Sequence, residues 1–565
     1  MRLLGGWAVC LTVWLAGLAG VGGAMNYYVA PTGGSDMNDG SIGSPFATIS
    51  NAITVAAAGD TIFARGGTYN LNAALIIDAA KDGTAANPFR LYAYPGESPI
   101  LDFRTQPYSN NNSGLKGVDL RGDYWHLKGL TVQYAADNGV FVSGSNNVVE
   151  QVVARQNQDS GIQISAAGTV PDRRHPANNL LLNCDSYGNF DFGGLGENAD
   201  GFAIKFRDLG PGNTVIGARA WENGDDGFDF WQAEYGVTVM NSWSFHNGVE
   251  SVFNNPAGYQ GDSNGLKLGK DSGTHLLENI LTWGNDANGV DINGNATEKQ
   301  GAAVVPLVIP HGVQAFNITS ALNAGNNFQY DENPTTTTPP SAHVLRNNIS
   351  YSGTVTINPG NTTDHNTFAG PGGSPAGLGA SDSDFVSTTD PVATGGSYHP
   401  AGTLGDRSGT TTPIHATGVA LGARQADGSL PNINFLRLAA GSHLIDAGVN
   451  VGLPYNGLAP DLGWLETVPP PPALPGDYNG DHVVDAADYT VWRDKLGTNT
   501  NLPNDATPGS VVLGDYDVWK AHYGQQSGSG SSSNTTAAVP EPGSWLIMTI
   551  VVLVVVAFGR ASLRP

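Results

Sequence analysis

Apolar and polar residues alternate in seven short segments of the chain that share one pattern. Each segment begins with Asn, Asp or Ser, has Gly or Asn in second place, and then runs apolar, variable, apolar. In an extended strand this order buries the third and fifth residues and exposes the fourth. The segments are residues 138–142, 160–164, 200–204, 226–230, 264–268, 288–292 and 326–330. We expect each to form one strand in successive coils, or rungs, of a solenoid.

An asparagine recurs upstream of these segments, where the chain turns into the strand. It is preceded by another short apolar strand, and its side-chain amide can both donate to and accept from the neighbouring rung. The positions are Asn157, Asn189, Asn223, Asn247, Asn285 and Asn323. A repeat of this size with short strands and no helical periodicity is typical of a solenoid coil. The predicted fold class is all-β, a right-handed parallel β-helix.

Composition supports this fold, and the net charge limits the classes of binding partner. The chain of 565 residues has 76 Gly, 34 Pro and only 13% charged residues, as expected where corners recur and strands are short. Its net charge of −24 excludes nucleic acid as a partner. The same charge disfavours a polyanionic ligand at long range, so any attraction to one has to be local.

The fourth residues of the segments form one column, which we call the outer column. It consists of Phe141, Gln163, Ala203, Asp229, Lys267, Asp291 and Gln329. Neighbouring strands of a sheet lie about 4.8 Å apart, which places Lys267 within reach of Asp229 and Asp291. A lysine between two carboxylates indicates a reaction site.

Four carboxylates, here called the acidic cluster, converge in the same pattern: Asp200, Asp225, Asp226 and Asp229. Such a cluster is unfavourable because of like-charge repulsion unless a cation fills it. Hard carboxylate oxygens without His or Cys favour calcium over zinc or copper. Single Asp-Gly pairs usually mark turns, but four carboxylates in one pattern next to Lys267 predict a Ca²⁺ site.

The segments 197–206, 225–231 and 264–269 resemble those of the family-nine polysaccharide lyases, a group of pectate lyases. The similarity extends over about residues 25–465 and is strongest at 197–269. The resemblance implies that the acidic cluster binds an essential Ca²⁺ and that Lys267 is the catalytic base. It also implies β-elimination of an acidic, uronate-containing polysaccharide.

Three further cations are candidate substrate-binding residues: Lys205, Arg207 and Lys270. Lys205 is expected to be exposed, as a carboxylate clamp, a solvated charge or a partner of Glu197. Insertions at 190–199 and 248–263 leave the same corner of the solenoid and are candidates for a groove wall. Two alternatives stay open: a non-catalytic, surface-displayed binding or adhesive β-helix, and a glycoside hydrolase, which needs one protonated acid.

The ends of the chain predict export. Residues 1–24 have the layout of a signal peptide, after whose removal Cys184 is the remaining cysteine, expected to be buried and inert. Residues 539–565 combine Pro-Glu-Pro, an apolar run at 545–558 and a basic tail, and resemble a bacterial envelope sorting signal. An ordinary tail anchor is the alternative. Both interpretations place the protein at the cell envelope or outside the cell, and we expect it to be a monomer.

Residues 476–525 form a separate small α-helical module with a calcium-type loop. Oxygen side chains stand at loop positions 1, 3, 5, 9 and 12, the spacing of an EF-hand-like site. They are Asp477, Asn479, Asp481, Asp485 and Asp488. The module resembles a type I dockerin, which implies a cohesin-like partner, although His482 replaces the usual Gly and the second loop has lost most ligands. Linkers are predicted at 466–475, rich in Pro, and at 526–538, rich in Ser and Gly.

Overall fold

The computed structural model describes most of the chain between residues 23 and 525. The described ranges are 23–107, 114–168, 174–253, 256–269, 273–292, 312–330, 342–392, 421, 423–467, 474–480, 483–500, 502–505 and 509–525. Nearly all of the predicted signal peptide, the Ser/Gly linker and the sorting tail lie outside these residues, as do Lys270 and Asp481. The described residues divide into two compact units, one up to Thr467 and one after it.

The first unit is a parallel β-helix with three faces, and its strands pair in parallel from rung to rung. The first face contains β1 (Asn26–Val29), β2 (Thr61–Ala64), β5 (Phe89–Ala93), β8 (Trp125–Lys128), β11 (Val148–Glu150), β14 (Leu180–Leu182), β17 (Thr214–Ile216), β20 (Thr238–Met240), β23 (Thr274–Trp283), β25 (Gly312–Ala321), β27 (Ala342–Arg346) and β30 (Thr362–Asp364). The second face contains β3 (Gly67–Asn70), β6 (Pro99–Asp102), β9 (Thr131–Gln133), β12 (Val153–Arg155), β15 (Asp185–Tyr187), β18 (Arg219–Trp221), β21 (Trp243–Phe245) and β28 (Ile349–Tyr351). The third contains β4 (Leu75–Ile77), β7 (Val118–Leu120), β10 (Val140–Val142), β13 (Ile162–Ile164), β16 (Phe202–Ile204), β19 (Phe228–Asp229), β22 (Leu266–Lys267), β24 (Val290–Asp291), β26 (Asn326–Tyr330) and β29 (Thr354–Ile357). The long strands β23 and β25 join the first and second faces.

The third face has the register predicted from the glycine pattern. Ala203 pairs with Asp229, Asp229 with Lys267, and Lys267 with Asp291. The expectation that the outer column is exposed is wrong for these residues, which are all buried. Side chains of neighbouring rungs and of the inserted loops cover the sheet here. Alternation within a strand predicts which face of the sheet a side chain lies on, but not whether other residues cover that face.

The asparagine ladder is confirmed. From Asn157 to Asn285, each side-chain amide in the row donates to the side-chain oxygen of the next rung, as in Asn189 to Asn223 at 2.8 Å and Asn223 to Asn247 at 2.9 Å. The same oxygens also accept backbone N–H groups, for example that of Asn223 at 3.2 Å. The row ends at Asn323, whose amide donates to Asn327 of its own rung at 3.0 Å. The ladder therefore satisfies buried polar groups at the corner that leads into the third face.

The core of the solenoid consists of the inward-facing apolar residues of all three faces. Cys184 belongs to it, and burial raises the pKa of this thiol to about 12, in keeping with the predicted inert cysteine. Helix α1 (Ile49–Val55) packs against β1, β2 and β4 and buries Ile49, Ala52 and Ile53. Short 3₁₀ turns lie at Ala79–Lys81, Glu250–Phe253, Pro371–Gly373 and Asp382–Asp384.

A segment near the end of the first unit packs along the outside of the second face, and we call its described residues 385–392, 421 and 423–464 the flank segment. It covers an aromatic row in which Tyr187 stacks on Trp221 and Phe245 stacks on Trp283. Arg424 of the segment bonds Asp185 at 2.6 Å. The described residues of the segment form isolated β-bridges and no long strand. The segment is therefore not part of the repeat, and its sequence lacks the alternation of the rungs.

The second unit contains α2 (Ala486–Lys495) and α3 (Leu513–His522). Trp492 is buried in a small core, against which the partly buried Trp519 packs. Asp485 and Asp488 form a capping box at the start of α2. Asn504, the first residue of the degenerate second loop, donates to Asp477 Oδ2 at 3.1 Å. These contacts agree with a helical pair, and calcium binding by the loop stays a prediction.

Candidate active site

The acidic cluster assembles where two successive rungs enter and form the third face. Asp200 and Asp226 occupy equivalent places before β16 and β19, Asp225 precedes Asp226, and Asp229 lies in β19. All four carboxylates are buried, with exposed fractions of 0 to 1%. The predicted convergence of these residues is confirmed, because the parallel register stacks equivalent positions of neighbouring rungs.

Lys267 lies in β22, the next rung after Asp229, and its ammonium group is held by carboxylates. Its Nζ lies 3.2 Å from Asp226 Oδ2 and 2.6 Å from Asp262 Oδ2. The ring of Trp231 lies beside it, with its centroid 5.5 Å from Nζ. Strand pairing places Asp229 and Asp291 next to Lys267 as predicted, but the short ion pairs are with Asp226 and Asp262.

Asp262 is a site residue that the sequence did not reveal. It is the last residue but one of the 248–263 insertion, its side chain is half exposed, and its backbone N–H donates to Asp225 Oδ1 at 2.6 Å. It thus connects the acidic cluster to the candidate base. In the sequence, Asp262 is marked only by its position shortly before the Asn264-Gly265 pair. That position does not predict where the side chain lies.

Lys205 differs from its prediction. It is 6% exposed, and its Nζ donates to Asp200 Oδ2 at 2.7 Å and to Asp229 Oδ2 at 2.8 Å. The expectation of an exposed clamp, or of a partner for Glu197, is therefore wrong, because the cluster attracts the ammonium inward. Arg207 lies half-buried in the turn after β16, and Lys270 lies outside the described residues.

The electrostatics of the site are governed by burial and by these ion pairs. Burial, opposed by Lys267, raises the pKa of Asp226 to about 8, and burial together with Asp226 raises the pKa of Asp225 well above its usual value. Burial also acts on Asp229, but Lys205 and Lys267 outweigh it and lower the pKa of that carboxyl. Burial opposes the charge of Lys267, yet Asp226 and Asp229 outweigh it and raise its pKa. Without a metal ion, burial and like-charge repulsion therefore favour the neutral forms of Asp225 and Asp226, and a bound cation would favour their ionised forms.

The donor set fits a hard cation. Asp200, Asp226 and Asp229 each offer an oxygen, and these atoms lie within 4.8 Å of one another. Asp226 Oδ2 is buried, and in the part of the chain that the structure describes it has the Lys267 ammonium at 3.2 Å and no bond that meets hydrogen-bond geometry. Carboxylate oxygens without nitrogen or sulfur donors suit calcium. Asp225, Asp226 and Asp262 form a second, overlapping group with the same spacing.

The two insertions pack together next to the site. Phe190 of the first insertion stacks on Phe253 of the second, with ring centroids 4.5 Å apart. Phe192 and Val252 complete this apolar cluster, and the Tyr259 hydroxyl donates to the carbonyl oxygen of Gly224. Both insertions therefore form one wall at the corner that carries the acidic cluster.

Comparisons with known proteins agree with this arrangement. A family model described as "Pel9A-like, right handed beta helix region" matches residues 27–333. Pectate lyase L of Dickeya dadantii (strain 3937) is 32% identical over 450 residues, which cover 78% of this chain and 90% of that protein. Pectate lyase L of Paenibacillus polymyxa (strain SC2) is 34% identical over 441 residues, covering 76% and 85%.

The fold is shared as well. The crystal structure of pectate lyase Pel9A matches with a TM-score of 0.63 and 30% identity, over 79% of this chain and 97% of that chain. The predicted right-handed parallel β-helix and the predicted polysaccharide lyase activity class are confirmed by these similarities. The chain belongs to the Pel9A-like family of right-handed β-helix proteins and is a polysaccharide lyase.

Proposed function

We propose that the protein cleaves an acidic polysaccharide such as pectate by calcium-dependent β-elimination, with Lys267 as the base. The observation that carries this proposal is the position of Lys267, one rung from Asp229 and 3.2 Å from Asp226, within a buried group of carboxylates. The names of the relatives, pectate lyases, support pectate as the substrate.

The reaction removes the C5 proton of a uronate, forms the C4–C5 double bond and breaks the C4–O bond to the leaving sugar. The proton is hard to remove because negative charge builds up next to a carboxylate that is already negative. Calcium held by Asp200, Asp225, Asp226 and Asp229 supplies the positive charge that offsets this. Lys267, in its neutral form, accepts the proton at Nζ.

The carboxylates around Lys267 hold its ammonium form before reaction. Asp226 is both a proposed metal ligand and a neighbour of the Lys267 Nζ. If a metal ion binds the Asp226 carboxylate, the ion pair between Asp226 and the ammonium of Lys267 becomes weaker. Asp262 retains contact with Nζ at 2.6 Å and keeps the side chain in place. The base is thereby oriented by a residue outside the proposed ligand set.

The test is the activity of Lys267 variants, measured as ultraviolet absorbance of unsaturated products from polygalacturonate and other polyuronates. Lys267→Ala should lose activity by about 10²- to 10⁴-fold while the fold is kept, the usual range for a lost general base. Lys267→Arg should fail too, because a guanidinium does not deprotonate. Lys116→Arg, which alters an ammonium paired with Asp137 in another part of the third face, is the control.

Near-normal elimination by Lys267→Arg would rule out the proton-abstraction role. Binding of polyuronate without any product would favour the alternative, a non-catalytic binding or adhesive solenoid. New reducing ends without ultraviolet absorbance would indicate a hydrolase instead. The three outcomes are separable in one reaction mixture.

We further propose that the protein acts outside the cytoplasm. The signal-peptide pattern of residues 1–24 and the sorting pattern of 539–565 support export and attachment at the envelope, with the apolar run 545–558 as a transient or permanent tether. Among the described residues, no helix is long and apolar enough to cross a membrane. The helical pair of residues 476–525 supports a dockerin-like role with a cohesin-like partner.

A further inference from the structure

Lys205 is a buried cation inside the candidate calcium site. Its Nζ bonds Asp200 Oδ2 at 2.7 Å and Asp229 Oδ2 at 2.8 Å. These two carboxylates belong, with Asp226, to the group whose oxygens lie within 4.8 Å of one another. The ammonium thus bonds two of the three carboxylates that a metal ion would use.

The backbone at Lys205 is fixed by the preceding rung. Its N–H donates to the Ile164 carbonyl at 3.3 Å, and its carbonyl accepts from the Ser165 hydroxyl at 2.9 Å. The side chain extends from this point across to Asp229 in the following rung. A side chain tied in this way, and 6% exposed, is poorly placed to reach out to a polymer in the groove.

The charges of the site balance around one divalent ion. The acidic cluster contributes four buried negative charges when ionised, and Lys205 and Lys267 contribute two positive ones. Apart from the half-exposed Asp262, which pairs with Lys267, two negative charges remain, and one Ca²⁺ would neutralise them. Without Lys205 three would remain, and the empty cluster would be less stable because like charges in a buried site repel.

We propose that Lys205 is an internal counter-cation of the calcium site, which holds Asp200 and Asp229 together without metal and lowers the affinity for calcium. This role rests on the calcium site of the proposed function and replaces substrate binding as the role of Lys205. Entry of a divalent cation has to displace or repel the ammonium. The lysine therefore sets the calcium concentration at which the site fills.

The experiment compares calcium binding by the full-length protein and its Lys205→Met variant, using isothermal titration calorimetry at low ionic strength. Lys205→Met keeps an unbranched side chain, one heavy atom shorter, and removes the charge. We expect it to bind calcium about tenfold more tightly or better, since a buried charge next to a divalent ion acts at short range. Asp226→Ala in the same full-length chain gives the baseline for calcium bound by the C-terminal module.

Thermal unfolding gives a second readout that does not depend on activity. In chelator the melting temperature of Lys205→Met should fall below that of the wild type, and in excess calcium the two should nearly coincide. Lys205→Gln, which keeps a hydrogen-bond donor without the charge, should show the same trend and serves if the Met variant folds poorly. Lys116→Met removes an ammonium 3.6 Å from Asp137 and should leave calcium affinity unchanged.

Equal or weaker calcium binding by both Lys205 variants would overturn the counter-cation role. A raised KM for polyuronate with unchanged calcium affinity would overturn it in favour of a substrate clamp. If the wild-type chain binds no more calcium than Asp226→Ala, the calcium site of the proposed function itself fails. The baseline variant thus separates failure of this inference from failure of the site.

Discussion

Replacing Asn247 by alanine removes one link from the buried asparagine ladder, in the rung that carries Lys267. The side chain of Asn247 is fully buried. Its Nδ2 donates to Asn285 Oδ1 at 2.9 Å and to Ser244 Oγ at 3.1 Å. Its Oδ1 accepts from the backbone N–H and the side-chain amide of Asn223, at 3.2 and 2.9 Å. These four hydrogen bonds, and a longer one from Nδ2 to the Ala220 carbonyl at 3.4 Å, are lost in the variant.

The expected destabilisation follows from these bonds. A net contribution of about 1 kcal/mol for each hydrogen bond gives a loss of about 4 kcal/mol in the free energy of unfolding. The Asn223 N–H is left buried without this acceptor, which adds to the effect. Asn450 is the control, because its exposed side chain accepts one hydrogen bond, from the Gly452 N–H at 2.8 Å. Asn450→Ala should cost less than about 1 kcal/mol.

Urea unfolding followed by tryptophan fluorescence measures the difference, because Trp243 is fully buried in the same rung. The midpoints of Asn247→Ala, Asn450→Ala and wild type are compared at a common slope. A loss for Asn247→Ala no larger than that of Asn450→Ala would refute the energetic argument. The ladder would then be a consequence of the stacked rungs and not a source of their stability.

Three further outcomes are expected. Asp226→Ala should lose about 10²- to 10³-fold in elimination rate by losing the metal, with partial recovery at high calcium, assayed by product absorbance; no calcium dependence of the variant would contradict this. The wild-type rate should rise with pH above neutrality, since carboxylates that outweigh burial raise the pKa of Lys267 and the base acts only when neutral; a rate that falls over that range would argue against a lysine base. A fragment of residues 476–525 should gain helical circular dichroism on adding calcium, because an unfilled acidic loop repels itself, and an unchanged spectrum would count against a calcium loop.

The sequence was sufficient to predict the register of the third face. The Gly positions and the alternation after them align Asp229 with Lys267 and Lys267 with Asp291, and the structure pairs these same residues. The asparagine ladder was predictable for the same reason. One asparagine recurs at the same corner of each rung, so the nearest hydrogen-bonding partner of its side chain is the equivalent asparagine of the next rung. Parallel stacking converts a sequence repeat directly into contacts.

The environment of the site was not predictable in the same way. Alternation placed Lys205 on the outer side of the sheet, but its burial depends on the acidic cluster of the following rung and on the cover around it. Asp262 lies in an insertion outside the repeat, so no period fixed its direction. The flank segment likewise lacks a period because side-chain packing, and not strand pairing, attaches it.

The flank segment has a consequence for the order in which the molecule can fold. Each rung pairs with its neighbour in the chain and can form as soon as that neighbour exists. The aromatic row of the second face has to wait for residues far downstream, as shown by the contact of Trp243 with Trp464 and the ion pair of Asp185 with Arg424. A chain that is synthesised from the N-terminus therefore has the aromatic row exposed, as an apolar strip, until the flank segment has been made and has packed on it. If the chain is exported as proposed, this strip is where chaperones, proteases or other copies of the chain would act first on the way.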